Sequence, residues 1–138
     1  MRILGIDLGS RTVGMAVSDY LGIIASPIGT ERIEENDLQA ALNCVKLVVK
    51  ERGIEKIVLG LPKNMDGSQG FQSDYCKTFK KMLEEELKIE VIMYDERLTT
   101  KMAHSYMLDA DLSRKKRKAN VDKIAASIIL QSYLDSLK

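Results

Sequence analysis

The chain of 138 residues has no tryptophan, two phenylalanines, two prolines, two cysteines and one histidine. Each shortage closes a class of function. Aromatic residues make up 5% of the chain, too few for the stacking platform that holds single-stranded nucleic acid in many binding modules. The single histidine, His104, cannot build a histidine-based metal site, and Cys44 and Cys76 have no zinc-ligand spacing. Both cysteines fall in helical patterns and read as buried free thiols in a reducing compartment. His104 reads as a helix residue rather than a proton shuttle. No apolar run approaches the roughly 18 residues of a membrane span. The N-terminus has one arginine and then strand residues, without the small-residue cleavage site of a signal peptide. The expected location is the cytoplasm, with no membrane partner. Charge of either sign is also not in excess: 21 Lys and Arg stand against 20 Asp and Glu, a net +1. Any affinity for nucleic acid must come from local clustering.

What is present suits one domain with a real core over residues 1–138. An apolar run at Ile3–Leu8 is interrupted by one carboxylate, Asp7. Gly9-Ser10-Arg11 reads as a turn, Val13–Val17 as a second strand, and Ile23–Ile28 as a third after a turn at Tyr20-Leu21-Gly22. Leu38, Ala41, Leu42 and Val45 recur at helical spacing, with Asn36 or Asp37 as N-cap and Gly53 as left-handed C-cap. Lys56–Leu59 reads as a buried parallel strand. A polar loop at 63–70 follows, placed where ligand contacts often arise. A second helix carries Tyr75, Phe79, Met82, Leu83 and Leu87 on one side, with Lys80, Lys81, Glu84, Glu85 and Glu86 as a solvated face. Glu90–Tyr94 is the next strand, and Thr99 or Thr100 caps a helix through Leu108. Residues 109–119 are the clearest composition shift and hold five consecutive cations, Arg114-Lys115-Lys116-Arg117-Lys118. Asn120 then caps a last helix with Val121, Ile124, Ala125, Ile128 and Ile129 on its apolar side. The order is α/β: a mixed five-stranded sheet of three antiparallel strands and then crossover strands, flanked by helices.

A carboxylate inside an apolar strand is costly unless paired or metal-bound. Strand alternation puts Asp7 on the face of Ile3 and Gly5, and Gly5 leaves room beside it for an ion or a phosphate. Capping of the following turn is the other reading of Asp7. Two more acids have suitable placements. Glu96 follows the last strand, where only one of the adjacent Asp95 and Glu96 can face inward. Asp122 lies in the first turn of the last helix, where the helix dipole also favours an acid. If the first and last strands are neighbours, Asp7 and Glu96 can meet and the helix can add Asp122. Such oxygen-only ligands suit magnesium, which keeps several waters and takes few carboxylates.

Four blocks carry a resemblance. They are Gly5-Ile6-Asp7-Leu8-Gly9-Ser10-Arg11 through Ser18-Asp19; Gly60-Leu61-Pro62 with Asn64-Met65-Asp66-Gly67-Ser68; Asp95-Glu96-Arg97-Leu98-Thr99-Thr100; and Asp122 with Ala125-Ala126 and Ile129-Leu130-Gln131. Together they resemble the YqgF/RuvX family of bacterial RNase-H-like nucleases, in the family's order and over essentially the whole chain. The family is a small relative of the RuvC Holliday-junction resolvases. It has been linked both to junction cleavage and to maturation of the 5′ end of pre-16S ribosomal RNA.

The resemblance implies an RNase-H-like fold and a phosphodiester hydrolase with catalytic, metal-ligating Asp7, Glu96 and Asp122, holding Mg²⁺ or Mn²⁺. The RuvC relatives use a fourth carboxylate three residues further along the last helix, where this chain has Ala125. Structured RNA is therefore the first substrate and branched DNA the second. Arg11, Arg97 and Lys101 are candidate phosphate contacts or partners of the site's acids, and Arg114 to Lys118 read as a phosphate track, with a solvated loop as the other reading. Resolving a two-fold symmetric junction calls for a dimer. Each helix has a single apolar stripe that the sheet should cover, so a monomer is expected. Two other classes use the same features. A non-catalytic nucleic-acid binder would need the basic run alone. An ATP-binding domain like that of actin, Hsp70 and the sugar kinases has a similar Asp-Leu-Gly-Ser opening, but clamps ATP between two such domains.

Overall fold

The computed structural model describes residues 1–61, 71–95 and 114–137. Its elements are β1 (Ile3–Leu8), β2 (Thr12–Ser18), β3 (Ala25–Arg32), α1 (Leu38–Arg52), β4 (Lys56–Leu61), α2 (Phe71–Leu87), β5 (Glu90–Asp95) and α3 (Arg114–Ser136). The five strands form one sheet in the order β3-β2-β1-β4-β5. β1 pairs antiparallel with β2, and β2 with β3. β4 runs parallel to both β1 and β5. Tight turns suffice for the antiparallel pairs, whereas the parallel pairs need crossovers, which α1 and α2 supply.

Alternation along the strands sorts the core onto two faces. Leu4, Ile6 and Leu8 of β1, with Val13, Met15, Ile57, Leu59 and Val91, pack under Ala41, Leu42 and Val45 of α1 and Phe79 and Leu83 of α2. Ile3, Ala16 and Val58 face the other way and are covered by Ala126, Ile129, Leu130, Tyr133 and Leu134 of α3. The polar pairs on α2 are those of a solvated face, Lys80 with Glu84 at 3.5 Å and Glu86 with Lys46 of α1 at 2.8 Å. α1 begins where Asp37 accepts a hydrogen bond from the Ala40 amide and stops at Gly53, in the left-handed conformation at φ 62°. Cys76 is buried and Cys44 half-buried, and neither is in a disulfide. No helix among the described residues is long and apolar enough to cross a membrane.

Four expectations are corrected. First, β1 and β5 are not neighbours, because β4 lies between them. The chain returns from α1 to the open edge of β1, and α2 then adds β5 outside β4. Second, β3 starts at Ala25, not at Ile23. The Asp19 carboxylate takes the Ile23 amide at 2.8 Å and the Ile24 amide at 3.4 Å, which closes a turn instead of a ladder.

Third, the last helix starts at Arg114 and absorbs the cationic run, so Asn120 is an interior residue and Asp122 stands in the third turn. Arg, Lys and Ala are good helix formers, and the run contains no glycine or proline to stop it. Fourth, the space beside Gly5 is filled. A Cβ on Gly5 would stand 2.7 Å from the Leu130 Cβ and 3.0 Å from the Ala126 carbonyl oxygen. The missing side chain admits a helix, not a ligand. The expected helix from Thr99 or Thr100 to Leu108, with His104, lies outside the described residues, as does the loop 63–70.

Gly5→Ala should therefore lower stability by about 1–3 kcal/mol, the usual cost of overpacking a close contact. Urea unfolding of the variant beside the wild type checks this, and an unchanged midpoint would show that α3 lifts off the sheet without cost.

Candidate active site

Asp7 is the fifth residue of β1 and is half-buried at the end of that strand. Its partner across β2 is Gly14. On the other side, Ile6 pairs with Leu59, so the next step sets Gly60 beside Asp7. Glycines thus flank the carboxylate on both neighbouring strands, and no side chain from either crowds it on the α3 face.

The direction of α3 follows from where it touches the sheet. Near its C-terminal end, Gln131 bonds the start of β3 and the turn before it, accepting from the Ala25 amide at 2.9 Å and donating to the Ile23 carbonyl at 2.8 Å. Tyr133 lies beside Lys56, with its hydroxyl 3.4 Å from Nζ. Lys56 is level with Ile3, the first residue of β1. Ala126 and Leu130 meet Gly5, two residues further along. Going back along α3 therefore travels from Ile3 past Gly5 towards Asp7. Asp122 precedes Ala126 by four residues, a little over one turn or about 6 Å along the axis. The turn of α3 that carries Asp122 and the end of β1 that carries Asp7 lie at the same end of the sheet.

The β1–β2 turn is at that end as well. It closes through the Gly9 amide on the Thr12 carbonyl at 2.8 Å. Arg11 projects from it to Glu35, with Nη2 3.1 Å from Oε2 and both side chains exposed. Backbone hydrogen bonds from Ile33 to the Arg11 carbonyl and from Asn36 to the Ser10 carbonyl, 2.9 and 2.7 Å, hold the segment bearing Glu35 against the turn. Arg114, Lys115, Lys116, Arg117 and Lys118 are the first five residues of α3. Glu96, Arg97 and Lys101 lie outside the described residues, although Glu96 directly follows Asp95, the last residue of β5. Among the described residues, no three His, Cys, Asp or Glu stand close enough to hold a metal ion.

Sequence reasoning passed over several positioning residues. The buried Ser18 Oγ accepts from the Ile3 amide at 2.8 Å and donates to the Asp19 carbonyl at 3.0 Å, tying the start of β1 to the end of β2. Asp19 holds the β2–β3 turn, and Gln131 clamps that turn to α3. Their signal was already in the quoted blocks, which end in Ser18-Asp19 and in Gln131. Glu35 has no such signal, because its partner is 24 residues away.

A meander extended by two parallel strands, with an acid on the central strand and a helix laid back towards it, defines an RNase-H-like domain of the RuvC kind. The fold matches T. thermophilus RuvC in complex with Holliday junction substrate, with a TM-score of 0.58 at 15% identity over 99% of this chain and 96% of that one. It also matches the Fowlpox virus Holliday junction resolvase, with a TM-score of 0.60 at 14% identity over the whole of both chains. A family profile described as "RuvX: Holliday junction resolvase" matches residues 1–136. The chain belongs to the YqgF/RuvX family. Relatives named "Putative pre-16S rRNA nuclease" from Listeria monocytogenes serotype 4b and Bacillus thuringiensis are 48% and 46% identical, each over 136 residues and 99% of both chains.

The Asp19 carboxyl is held below its ordinary value of 3.8, chiefly by the hydrogen bond from the Ile23 amide. A depressed carboxylate stabilises the folded state at neutral pH, and that contribution fades as pH falls through its folded value. The stability gap between wild type and Asp19→Asn should therefore be full near pH 7 and close below about pH 4. Urea midpoints for both proteins between pH 3 and 7 read this directly. A gap independent of pH would remove Asp19 as the turn's anchor.

Proposed function

We propose that this chain is a divalent-metal-dependent nuclease that cuts structured RNA, with the 5′ end of pre-16S rRNA as its substrate. The observation that carries the reading is the convergence at one end of the sheet. Asp7 stands there between two glycines, and α3 brings its Asp122 turn back to the same end. The full-length likeness to relatives named for pre-16S rRNA supports the substrate.

Asp7, Glu96 and Asp122 would hold Mg²⁺ or Mn²⁺. The donor chemistry fits, since carboxylate oxygens are what these hard cations take. The bound metal supplies an activated water and stabilises the leaving oxygen. The chain's own part is to hold the carboxylates on a rigid strand and helix and to position phosphates. Arg11, Arg97 and Lys101 serve the phosphates near the cut, and Arg114 to Lys118 the flanking strand. Ile92 and Tyr94 of β5 pack on the α3 cluster, on the face that Asp7 shares.

Junction cleavage is the second reading, favoured by the family description and by the resolvase fold. Against it, Ala125 is 1% exposed and packed, so the fourth acid of the resolvases has no counterpart at this helix position. The chain would act as a monomer on one strand at a time. Ala125 and Ile129 of the expected α3 stripe are covered, although Leu47 on α1 is 63% exposed.

The test compares an RNA hairpin bearing a single-stranded 5′ extension with a four-way DNA junction, in Mg²⁺ or Mn²⁺. The RNA should be the better substrate. Asp7→Asn should cut roughly 10³-fold more slowly, about 4 kcal/mol of transition-state stabilisation, with an equal or higher thermal midpoint because one of several repelling carboxylates is gone. Wild-type rates in that variant would sink the metal-site assignment. A stable dimer in sedimentation that nicks opposite junction strands together would overturn the RNA reading.

The cationic run makes a separate prediction. Neutralising Lys115, Lys116 and Arg117 should weaken binding to any sequence, and each lost phosphate contact should flatten the log–log salt slope by roughly 0.7–0.9. An unchanged slope would leave the run as a solvated helix end.

A further inference from the structure

We infer that Glu35 is a substrate-exchangeable counter-ion for Arg11, a positioning residue that keeps this guanidinium neutralised until a phosphate displaces it. The inference rests on the reading of this end of the sheet as the nucleic-acid site. Three observations carry it. First, the pair is built by the fold and not by chance proximity. Asn36 adopts the left-handed conformation at φ 58°, which turns the chain so that Ile33 and Asn36 donate to the carbonyls of Arg11 and Ser10. That backbone framework brings Glu35 to the β1–β2 turn regardless of what the side chains do.

Second, the contact is easily broken. Both side chains are well exposed, at 69% and 61%, and the ion pair uses one guanidinium nitrogen. Exposed pairs of this kind contribute little to stability. A phosphate can instead engage the guanidinium fork through two parallel charge-assisted hydrogen bonds. Third, the surroundings make the exchange selective. Arg11 shares a shallow polar recess with Arg32, Glu34, Glu35 and Asp37. Asp37 is committed to the α1 N-cap, which leaves Glu34 and Glu35 as the acids that a passing polyanion meets. Ile33 packs against the α1–α2 side of the sheet, so the segment bearing Glu34 and Glu35 is anchored on the side opposite the α3 cluster. A strand held only by α3 leaves the Arg11–Glu35 pair intact. A strand whose backbone reaches the β1–β2 turn breaks it and gains one phosphate contact.

The experiment measures binding of a fluorescent RNA hairpin with a single-stranded 5′ extension across a salt series, without divalent metal. The proteins are wild type, Glu35→Gln, Arg11→Gln and the double variant, with thermal midpoints to confirm folding. Glu35→Gln should bind several-fold more tightly at low salt, with an equal or slightly steeper salt slope. Arg11→Gln should flatten the slope by about 0.7, and in that background Glu35→Gln should no longer tighten binding. An equal gain in both backgrounds would make Glu35 a long-range repulsive charge and overturn the exchange, as would no gain in either. If Arg11→Gln is silent while the Lys115, Lys116 and Arg117 variant is not, the exchange fails and the nuclease reading stands. If wild type does not bind the RNA at all, the nuclease reading fails and the exchange falls with it.

Discussion

The close approach of α3 to β1 at Gly5 sets everything else at this end of the molecule. With 2.7 Å from an ideal Cβ to Leu130 and 3.0 Å to the Ala126 carbonyl, the helix rests on strand backbone. That contact fixes the height of α3 above the sheet. Gln131 on β3 and Tyr133 beside Lys56 fix its heading. These contacts all lie in the C-terminal half of α3, and the helix continues back from them towards the end of β1. Side chains carried by a strand and a helix already packed for stability are held more precisely than side chains on loops.

The same contact explains how a carboxylate is tolerated inside β1. Asp7 is on the α3 face, where a fully packed layer would bury it without solvent. The layer is not complete there, because Gly14 and Gly60 on either side put no side chain against it. Asp7 stays half-buried while Leu4 and Ile6, its neighbours on the opposite face, are fully buried. One strand therefore serves a dry core on one side and a wet polar end on the other.

Alternation and helical spacing were legible in the chain, because both are local or repeated patterns. Asp37, Gly53 and the two-faced core follow from them. Sheet order was not legible. Nothing in Ile3–Leu8 or Glu90–Asp95 says whether a third parallel strand separates them, since that depends on which edge a crossover reaches. Residues 109–119 misled for a different reason. A run of cations looks like a break in pattern, but charge does not break a helix as glycine or proline does. Ile23 and Ile24 misled because strand-forming side chains were read without the acid four and five residues earlier that takes their amides. Gly5 shows the limit most sharply. A missing side chain is visible in a sequence, but what occupies the space is decided by a residue 121 or 125 positions away.

The near-neutral total conceals a segregation of charge that folding alone does not favour. Five cations occupy the start of α3, where the helix dipole disfavours positive charge and where Arg114 and Lys118 repel at i,i+4. Each effect costs a few tenths of a kcal/mol, and no acid in the first turn offsets it. Two acids, Glu34 and Glu35, stand instead beside Arg11. A chain shaped for stability alone would exchange some of these residues. Phosphates laid along α3 reverse the sign of the penalty, since each one relieves the mutual repulsion and is attracted by the positive helix end. The start of α3 is thus a stretch whose local energetics a bound anion would improve.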